Sequence, residues 1–165
     1  MAGTPYDFSA VRRIGSQIEE VDGPGWHAGY DHCFVLHKLG AKARFALANS
    51  VFRASSAGQR PRTNLRDESF FAVDPPQPAA RLRHPASGRT MEISTTAPGL
   101  QVYTGNFLDG SIRGKGGATY DKYGGLCLET QGFPNAVNNP SFPNTVLAPH
   151  GEYRHRTIYR FSVTE

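Results

Sequence analysis

The sequence is poor in cysteine, in tryptophan and in long apolar runs, and each shortage excludes a class of protein. Two cysteines, Cys33 and Cys127, among 165 residues cannot build a disulfide framework or a four-cysteine zinc site. A reduced, cytoplasmic setting is therefore expected. No apolar run approaches the roughly 18 residues that a membrane helix needs, so no membrane partner is expected. The opening Met1-Ala2-Gly3-Thr4-Pro5-Tyr6 has no basic stretch followed by an apolar one, so no secretory signal is expected either. The single tryptophan, Trp26, and the scattered aromatics make no RNA-binding signature. There is no GxGxxG, Walker or GxSxG motif, and the glycines of 110–117 lack the Lys-Ser/Thr pair of a phosphate loop. No two histidines have metal-ligand spacing on one helix. Neither a metal nor a cofactor is expected.

Glycine and proline are plentiful instead, at 18 and 12 residues, as suits many turns between short strands. The length suits one domain, able to bury about 70% of its unfolded surface. The net charge of +4 is local. Residues 41–90 hold nine basic and three acidic side chains, whereas the rest of the chain holds nine and eleven. A solvated loop accounts for that stretch more simply than a phosphate-binding patch, so no nucleic-acid partner is expected.

A short helix or strand is expected around Val11–Ile18, and a strand over His32–His37. Ala43–Val51 could form a short helix, and the prolines of Asp74-Pro75-Pro76-Gln77-Pro78 argue against regular structure there. From residue 79 the pattern has period two. Leu82 and His84 alternate with arginines, His84-Pro85-Ala86-Ser87-Gly88 is a turn, and Met91, Ile93 and Thr95 alternate with polar residues, which together predict a hairpin. Further strands are expected at Leu100–Leu108 and Leu126–Thr130, with loop and one helical turn across Phe133–Pro149. In the last strand Tyr153, His155, Thr157, Tyr159, Phe161 and Val163 share one face and should be buried, while Arg154, Arg156 and Arg160 face water. With no long amphipathic helix, the fold class is all-β, an antiparallel β-sandwich.

Three places could carry chemistry. Asp31 opens a strand, where a carboxylate either caps a turn or accepts hydrogen bonds from hydroxyls; its neighbour His32 points to the other face and makes no dyad with it. Gln101 shares a face with Tyr103. An amide beside an aromatic wall suits a carbohydrate site, and equally suits the wet face of an ordinary strand. Glu129 closes an apolar strand and shares a face with Cys127 and Gln131. It is either a surface acid or a partly desolvated carboxylate, and desolvation makes a carboxylate a better base near neutral pH.

These segments fall in a telling order. Thr4-Pro5-Tyr6-Asp7-Phe8, Gly29-Tyr30-Asp31-His32, Ala86-Ser87-Gly88-Arg89, Gln101-x-Tyr103-Thr104-Gly105-Asn106-Phe107-Leu108, Gly114-Lys115-x-Gly117 and Cys127-Leu128-Glu129-Thr130-Gln131-x-Phe133-Pro134 together resemble the aldose 1-epimerase (galactose mutarotase) family. The resemblance covers about 1–38 and 79–165 and implies the C-terminal portion of that family's β-sandwich. The whole of 1–165 is then one partial domain, with an irregular insert at about 41–78. It implies interconversion of α and β anomers of aldohexoses such as galactose and glucose, with Glu129 as general base and Asp31 and Gln101 as sugar-binding residues. The family's general acid is a histidine in a segment that matches nothing here, so the resemblance gives that role to none of the six histidines. The implied activity of this chain alone is weak or nil, and the alternative is a non-catalytic sugar-binding or regulatory module. Part of a sandwich would also expose apolar sheet, so self-association is expected.

Overall fold

A computed structural model describes residues 3–8, 10–22, 25, 27–36 and 75–163. Six strands occur among them: β1 (Asp31–Val35), β2 (Gln77–Arg83), β3 (Arg89–Thr95), β4 (Gly99–Tyr103), β5 (Cys127–Gln131) and β6 (Thr157–Val163). They form two antiparallel three-stranded sheets, ordered β1-β4-β5 and β2-β3-β6. Short 3-10 turns at Ile14–Glu20, Pro85–Ser87, Lys115–Gly117 and Ala136–Asn138 are the only helical elements among the described residues. The fold is all-β, as expected.

Side-chain alternation builds the core. Phe34, Leu100 and Val102 point inward from the first sheet, and Ala79, Ala80 and Ile93 from the second. Phe8, Ile18, Val21 and Tyr30 from the N-terminal segment and Leu36 just after β1 complete the cluster. The Phe8 ring tilts against Tyr30 at 5.2 Å and meets Phe34 edge-on at 5.7 Å. Tyr30 is buried, its hydroxyl donates to the Pro5 carbonyl at 2.7 Å, and burial pushes its phenol up to about 12.

The predicted hairpin is present. Its strands are β2 and β3, and the turn is closed by the His84 N–H donating to the Arg89 carbonyl at 2.8 Å. Several boundaries differ from expectation. β1 is Asp31–Val35; His37, the helix expected at Ala43–Val51, the six basic residues Lys42 to Arg66 and all but the end of the 41–78 segment lie outside the described residues. The proline cluster does not preclude a strand, because β2 begins at Gln77 and includes Pro78. Pro78 sits at a register shift on an outer strand, where a missing N–H costs least. β4 stops at Tyr103, not Leu108, because the chain turns at Gly105, whose φ is +67°.

The largest difference concerns the last strand. It starts at Thr157, and the side expected to be buried is open: Tyr159, Phe161 and Val163 are all exposed, with Phe161 at 73%. β6 is an outer strand paired only with β3, and no described element covers it. Three threonines nevertheless tie the sheets together around His155. Its Nδ1 lies 2.8 Å from the Thr96 hydroxyl, and its Nε2 lies 3.1 Å from that of Thr157 and 3.3 Å from that of Thr130. Thr130 and Thr157 are themselves 2.7 Å apart, so β5 of one sheet is bonded to β6 of the other.

Candidate functional site

The outer face of the first sheet is a small grid set by register. Asp31 lies opposite Tyr103, which lies opposite Cys127; Cys33 lies opposite Gln101, which lies opposite Glu129; and Val35, Gly99 and Gln131 form the third row. Period two puts all nine on one side, with Phe34, Leu100 and Val102 on the other. Asp31, Gln101 and Glu129 are far apart in sequence, yet three neighbouring strands bring them together in one open cleft of about 380 Å³. That size suits a small ligand. Tyr103, Phe107, Gln131 and Pro134 complete its lining.

Within the cleft, the Gln101 amide Nε2 donates to Asp31 Oδ1 at 2.8 Å. This fixes the amide: its nitrogen is engaged by the carboxylate, and its carbonyl oxygen is left as an acceptor toward the cleft. Asp31 Oδ2 stays available to hydroxyl donors. Glu129 is exposed, which favours the surface acid over the partly desolvated carboxylate of the two readings left open for it. β5 is an outer strand with its polar face toward solvent. Burial pushes the Cys33 thiol pKa up, partly offset by a hydrogen bond with the Gln131 side chain.

The floor of the cleft is braced from behind. The Tyr30 N–H donates to the Thr104 hydroxyl at 2.9 Å, and the Thr104 N–H donates to the Tyr30 carbonyl at 3.0 Å, which extends the β1–β4 pairing by one residue. Buried Asn106 donates from Nδ2 to the His27 carbonyl at 3.0 Å. Gly29, at φ +132°, permits this close approach, since a Cβ there would stand 2.8 Å from that of Asn106.

His32 points away from the cleft, as expected. Its Nδ1 accepts the Asp31 N–H at 3.1 Å, and its Nε2 faces Asp22 at 3.4 Å. Asp22 also accepts the Tyr6 hydroxyl at 2.8 Å. No described histidine lines the cleft. The three site residues read from the sequence are all in it. Gln131, Phe107 and Pro134 were not singled out, although all three belong to the motif segments that carried the resemblance. Among the described residues, no group of three or more His, Cys, Asp or Glu could hold a metal ion.

Comparison with known proteins identifies the family. Residues 1–160 match the family model described as aldose 1-epimerase. Galactose mutarotase from Sus scrofa is 58% identical over 162 residues, which cover 98% of this chain and 36% of that protein. The Mus musculus galactose mutarotase is 60% identical over 84 residues, covering 51% of this chain and 25% of that one. Aldose 1-epimerase of Escherichia coli K12 is 29% identical over 163 residues, or 98% and 37% of the two chains. Among solved structures, a GalM/aldose epimerase homologue from C. elegans superposes with a TM-score of 0.59 at 20% identity, over 99% of this chain and 38% of that one. That likeness shows the fold. In every case the chain spans well under half the length of its relative.

Proposed function

This chain belongs to the aldose 1-epimerase family, and from that membership we propose that its cleft binds an aldohexose such as galactose or glucose in the position for anomer interconversion. The observation that carries the reading is the convergence of Asp31, Gln101 and Glu129 on one sheet face, with Gln101 bonded to Asp31 and directly opposite Glu129.

In this reading Glu129 takes the proton of the C1 hydroxyl. The freed electron pair forms the C1 carbonyl as the bond from C1 to the ring oxygen breaks, and that oxygen takes up a proton. Rotation about C1–C2 and closure on the other side of the carbonyl return the opposite anomer. Asp31 and the Gln101 carbonyl accept sugar hydroxyls and hold the ring in place. The proton for the ring oxygen needs a donor, and no described histidine lines the cleft. The chain by itself therefore accelerates the reaction weakly or not at all, because general acid–base groups contribute about 10²–10⁴-fold. That gap favours a second reading, a sugar-binding or regulatory module that needs only Asp31 and Gln101.

Three further points attach to this reading. The free thiols of Cys33 and Cys127 fit a reducing, cytoplasmic compartment. From the mouse to the pig comparison, the matched share of this chain rises from 51% to 98%, while that of the relative rises only from 25% to 36%. This supports an insert, near 41–78, without counterpart in the relatives. The exposed apolar side chains of β6 support self-association with a second copy.

The test is galactose binding by titration, followed by polarimetry on freshly dissolved α-D-galactose. Asp31→Ala should weaken binding about tenfold, as expected for a hydrogen bond to a charged group. No binding of any hexose at millimolar concentration would sink the proposal. Mutarotation far above buffer and abolished by Glu129→Gln would overturn the weak-or-inactive part and leave the site assignment standing.

A further inference from the structure

Glu129 is carried by a strand with ladder support on one edge. Among the described residues β5 pairs with β4 and with no other strand. A strand held by a single ladder can lean or slip, and the placing of Glu129 opposite Gln101 depends on its doing neither. The brace comes from the inner side. Leu128 and Thr130 face inward, opposite Val102 and Leu100, and Leu128 packs against the core. Thr130 is the polar one of the two. It stands between Glu129 and Gln131, both of which line the cleft.

The Thr130 hydroxyl belongs to a group of five side chains, with Thr95, Thr96, His155 and Thr157. It lies 2.7 Å from the Thr157 hydroxyl and 3.3 Å from His155 Nε2. Thr157 lies 3.1 Å from the same nitrogen and 3.2 Å from Thr95, whose hydroxyl accepts the Ala97 N–H at 3.1 Å. The other end of the imidazole is fixed by Thr96. Its hydroxyl accepts the Arg156 N–H at 3.1 Å, its own N–H donates to the Arg156 carbonyl at 3.0 Å, and His155 Nδ1 is 2.8 Å away. The Thr96 hydroxyl thus has its hydrogen left for Nδ1. In the neutral ring the hydrogen is then on Nε2, toward Thr130 and Thr157. Thr95 ends β3 and Thr96 follows it at the corner leading into β4. The ring therefore joins the corner between the two central strands to the strand that carries Glu129.

We propose that His155, acting through Thr130, is a positioning residue for Glu129. The ring bonds to the inner side of β5, away from the cleft, so it touches no sugar. It fixes β5 against the second sheet and keeps the Glu129 carboxylate opposite Gln101 before any ligand arrives. Pinning residue 130 holds the backbone between Glu129 and Gln131, so both are placed by one tie. A carboxylate already in place spends little conformational entropy on being ordered when a sugar hydroxyl reaches it. This inference rests on the proposed sugar cleft, and it makes a site on the first sheet depend on the second.

The experiment measures galactose dissociation constants by titration on the full chain and its variants. Thr130→Val keeps the branched shape and removes only the hydroxyl, so it should raise the constant about fivefold, the size of one lost hydrogen bond. Thr130→Ser keeps the hydroxyl and should bind within about twofold of the unsubstituted chain. The effect should act through Glu129. In a Glu129→Ala background Thr130→Val should change affinity by less than about twofold, whereas in an Asp31→Ala background its full effect should remain. A general loosening of the fold would weaken binding alike in both backgrounds. His155→Gln should show the same dependence on Glu129, and it carries the test if Thr130→Val unfolds, which thermal unfolding reads. Equal affinity of the folded Thr130→Val variant and the unsubstituted chain, or equal effects in the two backgrounds, would overturn the positioning role while the cleft assignment stands. No hexose binding by the unsubstituted chain would overturn both.

Discussion

The two sheets are built alike and finished differently. Each has three antiparallel strands of five to seven residues, and each sends side chains into the same core. In the first, the central strand β4 is fully buried on its inner side through Leu100 and Val102 and presents Gln101 and Tyr103 outward. In the second, the central strand β3 is buried only at Thr90, Ile93 and Thr95, and β6 keeps Ile158, Tyr159, Phe161 and Val163 in water. One sheet is a braced scaffold with a polar working face. The other ends in an outer strand whose apolar side chains have no cover among the described residues. The difference separates two uses of the same alternation: where the inner side is filled, the outer one can hold a site; where it is not, apolar side chains stand open among the described residues.

The comparison is sharpest in stability. Leu100→Ala removes a side chain with 0% exposure from the middle of β4. It should cost about 2–5 kcal/mol, from lost transfer energy plus the cavity left behind. Phe161→Ala, at a position 73% exposed, should change stability by no more than about 0.5 kcal/mol in the monomer. Urea unfolding at low protein concentration reads both. Equal costs would mean that β6 is covered in solution and that the contrast between the sheets is wrong.

Self-association is the next largest effect. If β6 pairs with a second copy, Phe161→Lys with Val163→Lys places two charges on the apolar side of that strand and should raise the dimer dissociation constant tenfold or more, since about 1.4 kcal/mol suffices for each factor of ten. Sedimentation velocity across a concentration series measures it. A wild-type chain that stays monomeric at high concentration would show that β6 needs no partner of its own kind.

The site side of this contrast was legible in the sequence and the open side was not, for physical reasons. The β2–β3 hairpin was readable because His84-Pro85-Ala86-Ser87-Gly88 is a strong turn between alternating runs. Asp31, Gln101 and Glu129 were readable as motif members, and strand registry then put them in one cleft. Phe107 would fall on the Gln101 side if alternation ran on to Leu108, and it does reach that cleft, but by a turn at Gly105 rather than along a strand. The exposure of β6 was not readable. Period two tells which side chains share a side, and says nothing of what lies against them. The His155 cluster was hidden for a related reason: Thr96, Thr130 and Thr157 meet it across two sheets, with no local spacing to betray the contact.

The smallest effect probes the site sheet alone, through its two thiols. Both cysteines lie on the cleft side of the grid, Cys127 exposed on β5 and Cys33 half-buried on β1. The thiolate is the reactive form, and burial raises the Cys33 pKa, so at a given pH a smaller fraction of Cys33 is ionised. Iodoacetamide should therefore label Cys127 several-fold faster between pH 7 and 9, with the rise in Cys33 labelling displaced to higher pH. Cys127 stands next to Glu129 on the same side of the strand, so saturating galactose should slow its labelling about twofold or more and leave a denatured control unaffected. Mass spectrometry of each labelled peptide gives the two rates. If Cys33 reacts first, β1 is more open at the cleft than β5, and the burial that distinguishes the two thiols fails where the site is.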